Sequence, residues 1–295
     1  MMNLLYAGRM VERASLPPLP KVRLADGTYV PALGMGTWHM GESARRRARE
    51  IAALRAGFDA GMTLVDTAEM YADGGAEEIV ADALADRRDD VFVVSKVYPH
   101  NAGAKSAIAA CERSLRRLRT DRLDLYLVHW RGRIPLAETV AAFETLKRAG
   151  KIMRWGVSNF DTEDIEELVA LPDGDRCAVN QVLYHLGERG IEWSLTNRCE
   201  RHSIAIMAYS PVGEGDLLRH PQLRAIARSI GATPAQVALA WLLRDPRVIA
   251  IPKTSNDAHV VENRAATSLT LSAQTLARID EAFPPPSRAT RLAVI

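Results

Sequence analysis

The sequence has little from which to build a disulfide framework or a zinc site. Its 295 residues include three cysteines, Cys111, Cys177 and Cys199, an odd number with no CxxC spacing. Cys111 falls at an apolar position of a helical stretch and Cys177 opens a strand-like one, so core packing is the expected role. The chain also lacks a charge excess: 38 Lys and Arg stand against 36 Asp and Glu, a net +2. Arg45-Arg46-Arg47 and Arg116-Arg117 have acidic or apolar neighbours and read as solvated faces, not as a nucleic-acid footprint. A run of about 18 apolar residues is missing, so no membrane span is expected. The opening MMNLLYAGRMVERASLPPLP is too short in apolar length and too dotted with arginine for a signal peptide. A cytoplasmic protein is therefore expected. Residues 1–20, which end in a Pro-rich stretch, read as a loosely ordered extension ahead of a single domain over 21–295.

What the chain does have is one recurring unit. Short apolar strands ending in a polar residue alternate with amphipathic helices. The candidate strands are GMGT (34–37), TLVDT (63–67), VFVVSK (91–96), LDLYLVHW (123–130), MRWGVSN (153–159), CAVNQV (177–182), IAIMAYS (204–210) and VIAIPK (248–253). Core stripes at helical spacing lie between them: Ile108, Cys111, Leu115 and Leu118, then Leu136, Val140, Phe143 and Leu146. Pro135 suits a first helical position, Thr233-Pro234 opens another helix, a helix begins near Asp161, and Ser272 caps the last one. Strands apolar on both faces belong to a parallel sheet covered by helices. Eight such units in roughly 250 residues match a closed (β/α)8 barrel. The rival open sheet usually carries GxGxxG after its first strand, and GMGTWHMG lacks that spacing. Around Asp26-Gly27, a favoured hairpin turn, two further short strands are expected to plug the barrel at its N-terminal end.

Barrel enzymes place their chemistry at the C-terminal strand ends. The polar residues there are Asp66, Lys96, His129, Ser158-Asn159, Asn180-Gln181, Tyr209-Ser210 and Lys253-Thr254, with Tyr71 five positions after Asp66 in MTLVDTAEMY. Each alone has an unremarkable structural reading, as a turn support, a strand end or a helix start; Gly74-Gly75 reads as a plain turn. Together, Asp, Tyr, Lys and His suit carbonyl reduction. A carbonyl that accepts hydride develops charge on oxygen and needs a proton donor within hydrogen-bond reach. Tyrosine ionises near pH 10, and a lysine cation nearby should lower that value, with an aspartate to hold the lysine. Histidine can donate a second hydrogen bond or relay a proton.

The stretches GMGTW, LVDTAEMY, VVSK, LDLYLVHW, GVSNF, NQVLYH, MAYSP and IPKTSNDAHVVENRAA, running from about Leu33 to Ala266, strongly resemble the aldo-keto reductase family. The resemblance implies an NADP(H)-binding barrel with Asp66, Tyr71, Lys96 and His129 as its catalytic tetrad, and no metal. It implies that Ser158, Asn159 and Gln181 hold the nicotinamide carboxamide, that Tyr209 stacks on the ring, and that Ser210 and the loop from Pro211 to Leu218 follow the pyrophosphate. Lys253 and Thr254, with Asn256 and His259 in the same run, then fall near the adenosine phosphate, and Glu262 and Asn263 near adenine. Trp38, Tyr98 and Trp130 would shape a substrate pocket. The chain departs from the family pattern at His259, where many members have arginine, at Tyr98, where many have tryptophan, and in a longer AEMYADGGAEE loop. With SLRRL and NQVLYHLGERGIE, these details resemble a bacterial subgroup that includes methylglyoxal-reducing enzymes. The expected protein is a monomeric NADPH-dependent reductase of small aldehydes or ketones. The alternatives are a Schiff-base aldolase using Lys96 and a non-catalytic NADPH-binding module.

Overall fold

The computed structural model describes residues 4–6, 9–11 and 17–295. Among the described residues are twelve strands: β1 (Leu4–Tyr6), β2 (Arg9–Val11), β3 (Lys21–Arg23), β4 (Tyr29–Pro31), β5 (Met35–Gly36), β6 (Leu64–Asp66), β7 (Phe92–Val97), β8 (Leu125–Val128), β9 (Trp155–Ser158), β10 (Val179–Leu183), β11 (Ala205–Tyr209) and β12 (Val248–Ala250). The helices are α1 (Arg47–Asp59), α2 (Gly75–Leu84), α3 (Ser106–Leu118), α4 (Leu136–Arg148), α5 (Thr162–Val169), α6 (Leu195–Arg201), α7 (Pro221–Ser229), α8 (Pro234–Leu243), α9 (Asp257–Ala265) and α10 (Ala273–Ala282). Strands β5 to β12 form one parallel eight-stranded sheet in chain order. Its seam is closed by parallel bridges from Leu33 to Ala250 and from Gly36 to Lys253, so the expected barrel is what forms. Of the expected N-terminal extension, residues 4–6, 9–11 and 17–20 are described; β1 and β2 pair antiparallel, and the rest lies outside the described residues.

The two faces of the barrel strands follow from their period of two. Leu64, Val94, Leu125, Leu127, Val179, Met207 and Ile249 point inward and form one buried cluster with Val22, Leu24 and Val30 of the β3–β4 hairpin. The hairpin thus plugs the barrel floor, as its sequence implies. Its turn is held by Gly27 at φ +88°, which suits glycine, and by the Thr28 N–H donating to Asp26 Oδ1 at 2.9 Å. Arg154, next to the start of β9, donates to Asp26 and clamps the turn to the barrel. The outward residues, including Val65, Val93, Tyr126 and Val157, pack against the helices in a second and larger cluster. Both predicted helix stripes are part of it, with Phe143 1% exposed. Burying a side chain of that size contributes about 1.5–3 kcal/mol.

Helix starts behave as their sequences predict. Asp161 and Thr233 each form a reciprocal capping box, with Asp164 and Gln236, and Ser272 caps α10, each cap worth about 1 kcal/mol. Pro135 is the cap residue before α4 and not its first helical residue. Arg117 is a correction. It does not sit on a solvated face: it donates to the fully buried Glu77 at 2.6 Å, and the other Glu77 oxygen accepts from Ser95 at 2.6 Å. A carboxylate buried on α2 requires such partners.

All three cysteines are buried and free. Burial pushes the Cys111 and Cys199 thiols up to about 12, and Cys177 higher still. Since the thiolate is the nucleophile, the native protein should resist iodoacetamide near neutral pH and react at three sites only after denaturation. Intact mass before and after urea checks this; an adduct on the folded protein would contradict the burial described.

Candidate active site

The barrel's inward register carries the site. Two residues beyond inward Leu64, Val94, Leu127, Val179 and Met207 come Asp66, Lys96, His129, Gln181 and Tyr209. The polar residue is thus the last inward-facing side chain of each strand, on the same face as the core beneath it. Tyr71 reaches this layer from the turn after β6. Its chain reverses through Ala72 and Asp73, both left-handed at φ +51°, and Gly74 at φ +92°. Left-handed backbone costs a non-glycine residue roughly 1–2 kcal/mol, so the loop is more constrained than the plain Gly74-Gly75 turn its sequence suggests.

Lys96 is fully buried, and its ammonium meets three acceptors: Asp66 Oδ2 at 2.7 Å, the Thr67 carbonyl at 2.9 Å and the Tyr71 hydroxyl oxygen at 3.3 Å. An ammonium has three N–H groups, and all three are used. Burial lowers the Lys96 pKa and raises that of Asp66, each opposed by the charge of the other. The three-way contact favours the charged pair. Because the Tyr71 oxygen accepts from Lys96, its own hydrogen is left to donate into the cavity.

The direction of the Tyr71 shift corrects the sequence argument. Lys96 does not bring the phenol below its ordinary value; burial first, then the charges of Asp66 and Tyr209, raise it well above. Tyr71 is therefore held as the protonated acid, and Lys96 stabilises the phenolate only as the proton leaves. Burial, helped by the Lys96 charge, pushes His129 down to about 2, so its imidazole is neutral. Its Nδ1 is buried without a partner among the described residues. The His129 ring lies edge-on to Tyr71 at 5.7 Å between centroids.

A cavity of about 610 Å³ opens over this layer. Its lining includes Asp66, Tyr71, His129, Trp38 and Trp130, with Ser158, Asn159, Gln181, Tyr209, Ser210 and Pro211. Lys253, Thr254, His259, Glu262 and Asn263 line it too. The polar wall is internally braced: Ser158 Oγ donates to the Gln181 carbonyl at 2.9 Å, and Tyr209 OH donates to Asn159 Oδ1 at 3.0 Å. Asn159 is left-handed at φ +56°, a conformation asparagine tolerates. Trp38 packs edge-on to Tyr71 at 4.8 Å and is 38% exposed, as is Trp130.

Three predicted residues lie outside the cavity lining: Lys96, buried beneath Tyr71, and Tyr98 and Asn256. Tyr98 stacks on His100 with centroids 4.8 Å apart, its backbone N–H tied to Glu69 at 2.9 Å. Asn256 spends its side chain capping α9, accepting from the Ala258 N–H at 3.0 Å. Gly74 and Gly75 are absent from the lining as well. Conversely, His39, Met70 and Ile295 line the cavity without a sequence signal that singles them out. Among the described residues, no cluster of three or more His, Cys, Asp or Glu could hold a metal ion, and no helix is long and apolar enough to cross a membrane.

The lining combines the side chains of Ser158, Asn159, Gln181 and Tyr209 with the proton donor Tyr71 and the cation of Lys253. Asp66, Glu214 and Glu262 are the acidic side chains of the lining.

Comparison with known proteins agrees with this geometry. Residues 32–283 match the model of the aldo/keto reductase family. The methylglyoxal reductase YeaE of Escherichia coli is 51% identical over 279 residues, covering 93% of this chain and 98% of that protein. A glyoxal reductase of Bacillus subtilis is 34% identical, covering 88% and 91%. The crystal structure of an aldo/keto reductase from Klebsiella pneumoniae in complex with NADP and acetate superposes with a TM-score of 0.92 at 53% identity, covering 94% of this chain and all of that one. With the barrel, the buried Asp-Lys-Tyr contact and these matches in agreement, the chain belongs to the aldo/keto reductase family.

Proposed function

We propose that this protein is an NADPH-dependent reductase that converts small aldehydes and ketones to alcohols, with 2-oxoaldehydes such as methylglyoxal among its substrates. The observation that carries the reading is the Lys96–Tyr71 contact: a buried phenol accepts from an ammonium and keeps its hydrogen for the cavity. Bound NADPH supplies the hydride that the protein itself cannot. Tyr71 donates the proton to the carbonyl oxygen, and Lys96, oriented by Asp66, stabilises the charge left on the phenol. His129, neutral, offers the same oxygen a second hydrogen bond. Trp38 and Trp130 exclude water from one side. Ser158, Asn159 and Gln181 hold the carboxamide, Tyr209 lies against the ring, and Lys253 and Thr254 take the adenosine phosphate, with Asn263 and Glu262 near adenine. The similarity to a methylglyoxal reductase and a glyoxal reductase supports the 2-oxoaldehyde class.

An aldolase would need Lys96 free to attack. Its side chain is fully buried, absent from the cavity lining and held by three acceptors. A purely binding role would leave the phenol–ammonium contact without a purpose. Buried free thiols suit a cytoplasmic enzyme. NADPH consumption with methylglyoxal, glyoxal and larger aromatic aldehydes, run also with NADH, tests the proposal; no turnover with any of them would overturn it.

Cofactor choice gives a second expected outcome. Lys253 lines the cavity and on this reading meets the 2′-phosphate; losing a charged partner there costs about 1.5–3 kcal/mol. Lys253→Ala should therefore shrink the NADPH-over-NADH ratio of kcat/KM about tenfold or more. Arginine offers phosphate a permanent charge and a bidentate fork. His259→Arg should therefore raise the ratio. An unchanged ratio in that variant would remove His259 from the phosphate site.

A further inference from the structure

Gln181 stands where the proton-donating layer meets the polar wall. It lies on β10, 2% exposed, and still lines the cavity. Its amide nitrogen donates to Asp66 Oδ1 at 2.7 Å and lies 2.9 Å from Met207 Sδ. The other Asp66 oxygen accepts from Lys96. A carboxylate in that pair can only accept, so the amide cannot be turned round: its NH2 must face Asp66 and its carbonyl oxygen must face elsewhere. An amide reversed by half a turn would set an oxygen against the carboxylate. The oxygen that Asp66 turns away is thus the group Gln181 has left for a ligand, and it suits the NH2 of a carboxamide.

The same bond acts on Asp66. The carboxylate is 1% exposed, and burial favours its neutral form. Lys96 opposes this most strongly and Gln181 next. A buried carboxylate with one partner fewer would take up a proton at higher pH. It would then release Lys96, and with it the charge that stabilises the Tyr71 phenolate.

We propose that Gln181 is a positioning residue that couples cofactor capture to proton donation: Asp66 fixes which end of the amide faces the carboxamide, and Gln181 holds Asp66 charged for Lys96. The inference rests on the NADPH reading of the cavity. Coupling between two sites is reciprocal, so it predicts two effects that separate roles would not produce. Asp66→Asn, a change in the proton-donating layer, should weaken NADPH binding about tenfold, the worth of one well-made hydrogen bond. Gln181→Met, a change in the cofactor wall, should move the acid limb of the kcat profile upward by about one pH unit, as a carboxylate losing a donor does.

The full-length chain is titrated with NADPH without substrate, followed by fluorescence, and kcat is measured across pH at saturating cofactor. A cooperative thermal transition confirms that each variant is folded. If Gln181→Met does not fold, Gln181→Leu removes the donor without adding a charge and should give the same upward shift. If Asp66→Asn does not fold, the 3-acetylpyridine analogue of NADPH, which has no amide NH2, tests the wild-type chain and should bind about tenfold more weakly. A wild-type chain that neither binds nor uses NADPH would overturn the functional reading itself. The coupling alone is overturned if wild type binds but Asp66→Asn, or the analogue, stays within about twofold of its affinity. An unmoved acid limb in the Gln181 variant overturns it equally.

Discussion

Tyr71→Phe should lower kcat by about 100-fold or more, the usual contribution of a positioned general acid. The change removes one oxygen and nothing else. The ring stays packed edge-on between Trp38 and His129, so the pocket keeps its shape. Lys96 loses its weakest acceptor, at 3.3 Å, and keeps Asp66 and the Thr67 carbonyl. The polar wall of Ser158, Asn159 and Gln181 does not touch the phenol oxygen, so NADPH affinity should stay close to wild type. Steady-state rates and a fluorescence titration together read both halves of the expectation. A variant keeping more than half its turnover would remove Tyr71 from the reaction.

Lys96→Met should damage both turnover and stability. Methionine fills similar volume but leaves Asp66 buried with Gln181 as its remaining side-chain partner. Removing one member of a buried ion pair typically costs about 3–5 kcal/mol. The pH dependence has a defined sign. The folded-state pKa of Asp66 is already raised by burial, and without Lys96 it rises further. A carboxyl group raised in the folded state binds protons more tightly there than in the unfolded chain. Its contribution is therefore favourable at acid pH and lost as pH climbs through the folded value. The variant should come nearest to wild-type stability in acid and fall away from it toward neutral pH, as urea melts at several pH values would show. The pH profile of its residual activity should change too, and Asp66→Asn should lower turnover more mildly, because the ammonium remains. A Lys96→Met protein with wild-type stability at every pH would mean that the ion pair is not buried as described.

Much of this was legible in the sequence because two physical signals coincide there. Short apolar runs ending in a polar residue mark both the strands and the site, since the inward register that buries Val94 is the one that delivers Lys96. Caps at Asp161, Thr233 and Ser272 were readable because a cap is satisfied within a few residues. What was hidden depends on contacts far apart in the chain. Tyr98 looked like a pocket residue from its place after β7, but its ring stacks on His100 and meets Trp130 edge-on at 6.1 Å without lining the cavity itself. Asn256 could not be told from a ligand contact until the start of α9 was fixed one residue later. Arg117 looked solvated because Glu77, its partner on α2, is 40 residues earlier. The upward shift of Tyr71 needed the depth of burial, which no local pattern encodes. Ile295 entered the lining from a tail whose course no periodicity describes.

The seam between β5 and β12 bears on how the molecule comes to life during folding. The first barrel strand meets the last through the Gly34 N–H donating to the Ala250 carbonyl at 2.9 Å and the Gly36 N–H donating to the Pro252 carbonyl at 3.1 Å. The Asp66–Gln181 bond spans 115 residues of chain. Contacts of such separation pay their loop-closure entropy before they return any stability, and topologies rich in them assemble slowly. A half-made barrel can hold helices and a good part of its core and still have no active site. Competence to reduce a carbonyl is therefore a property of the closed ring, because the residues it needs come from strands on opposite sides of it.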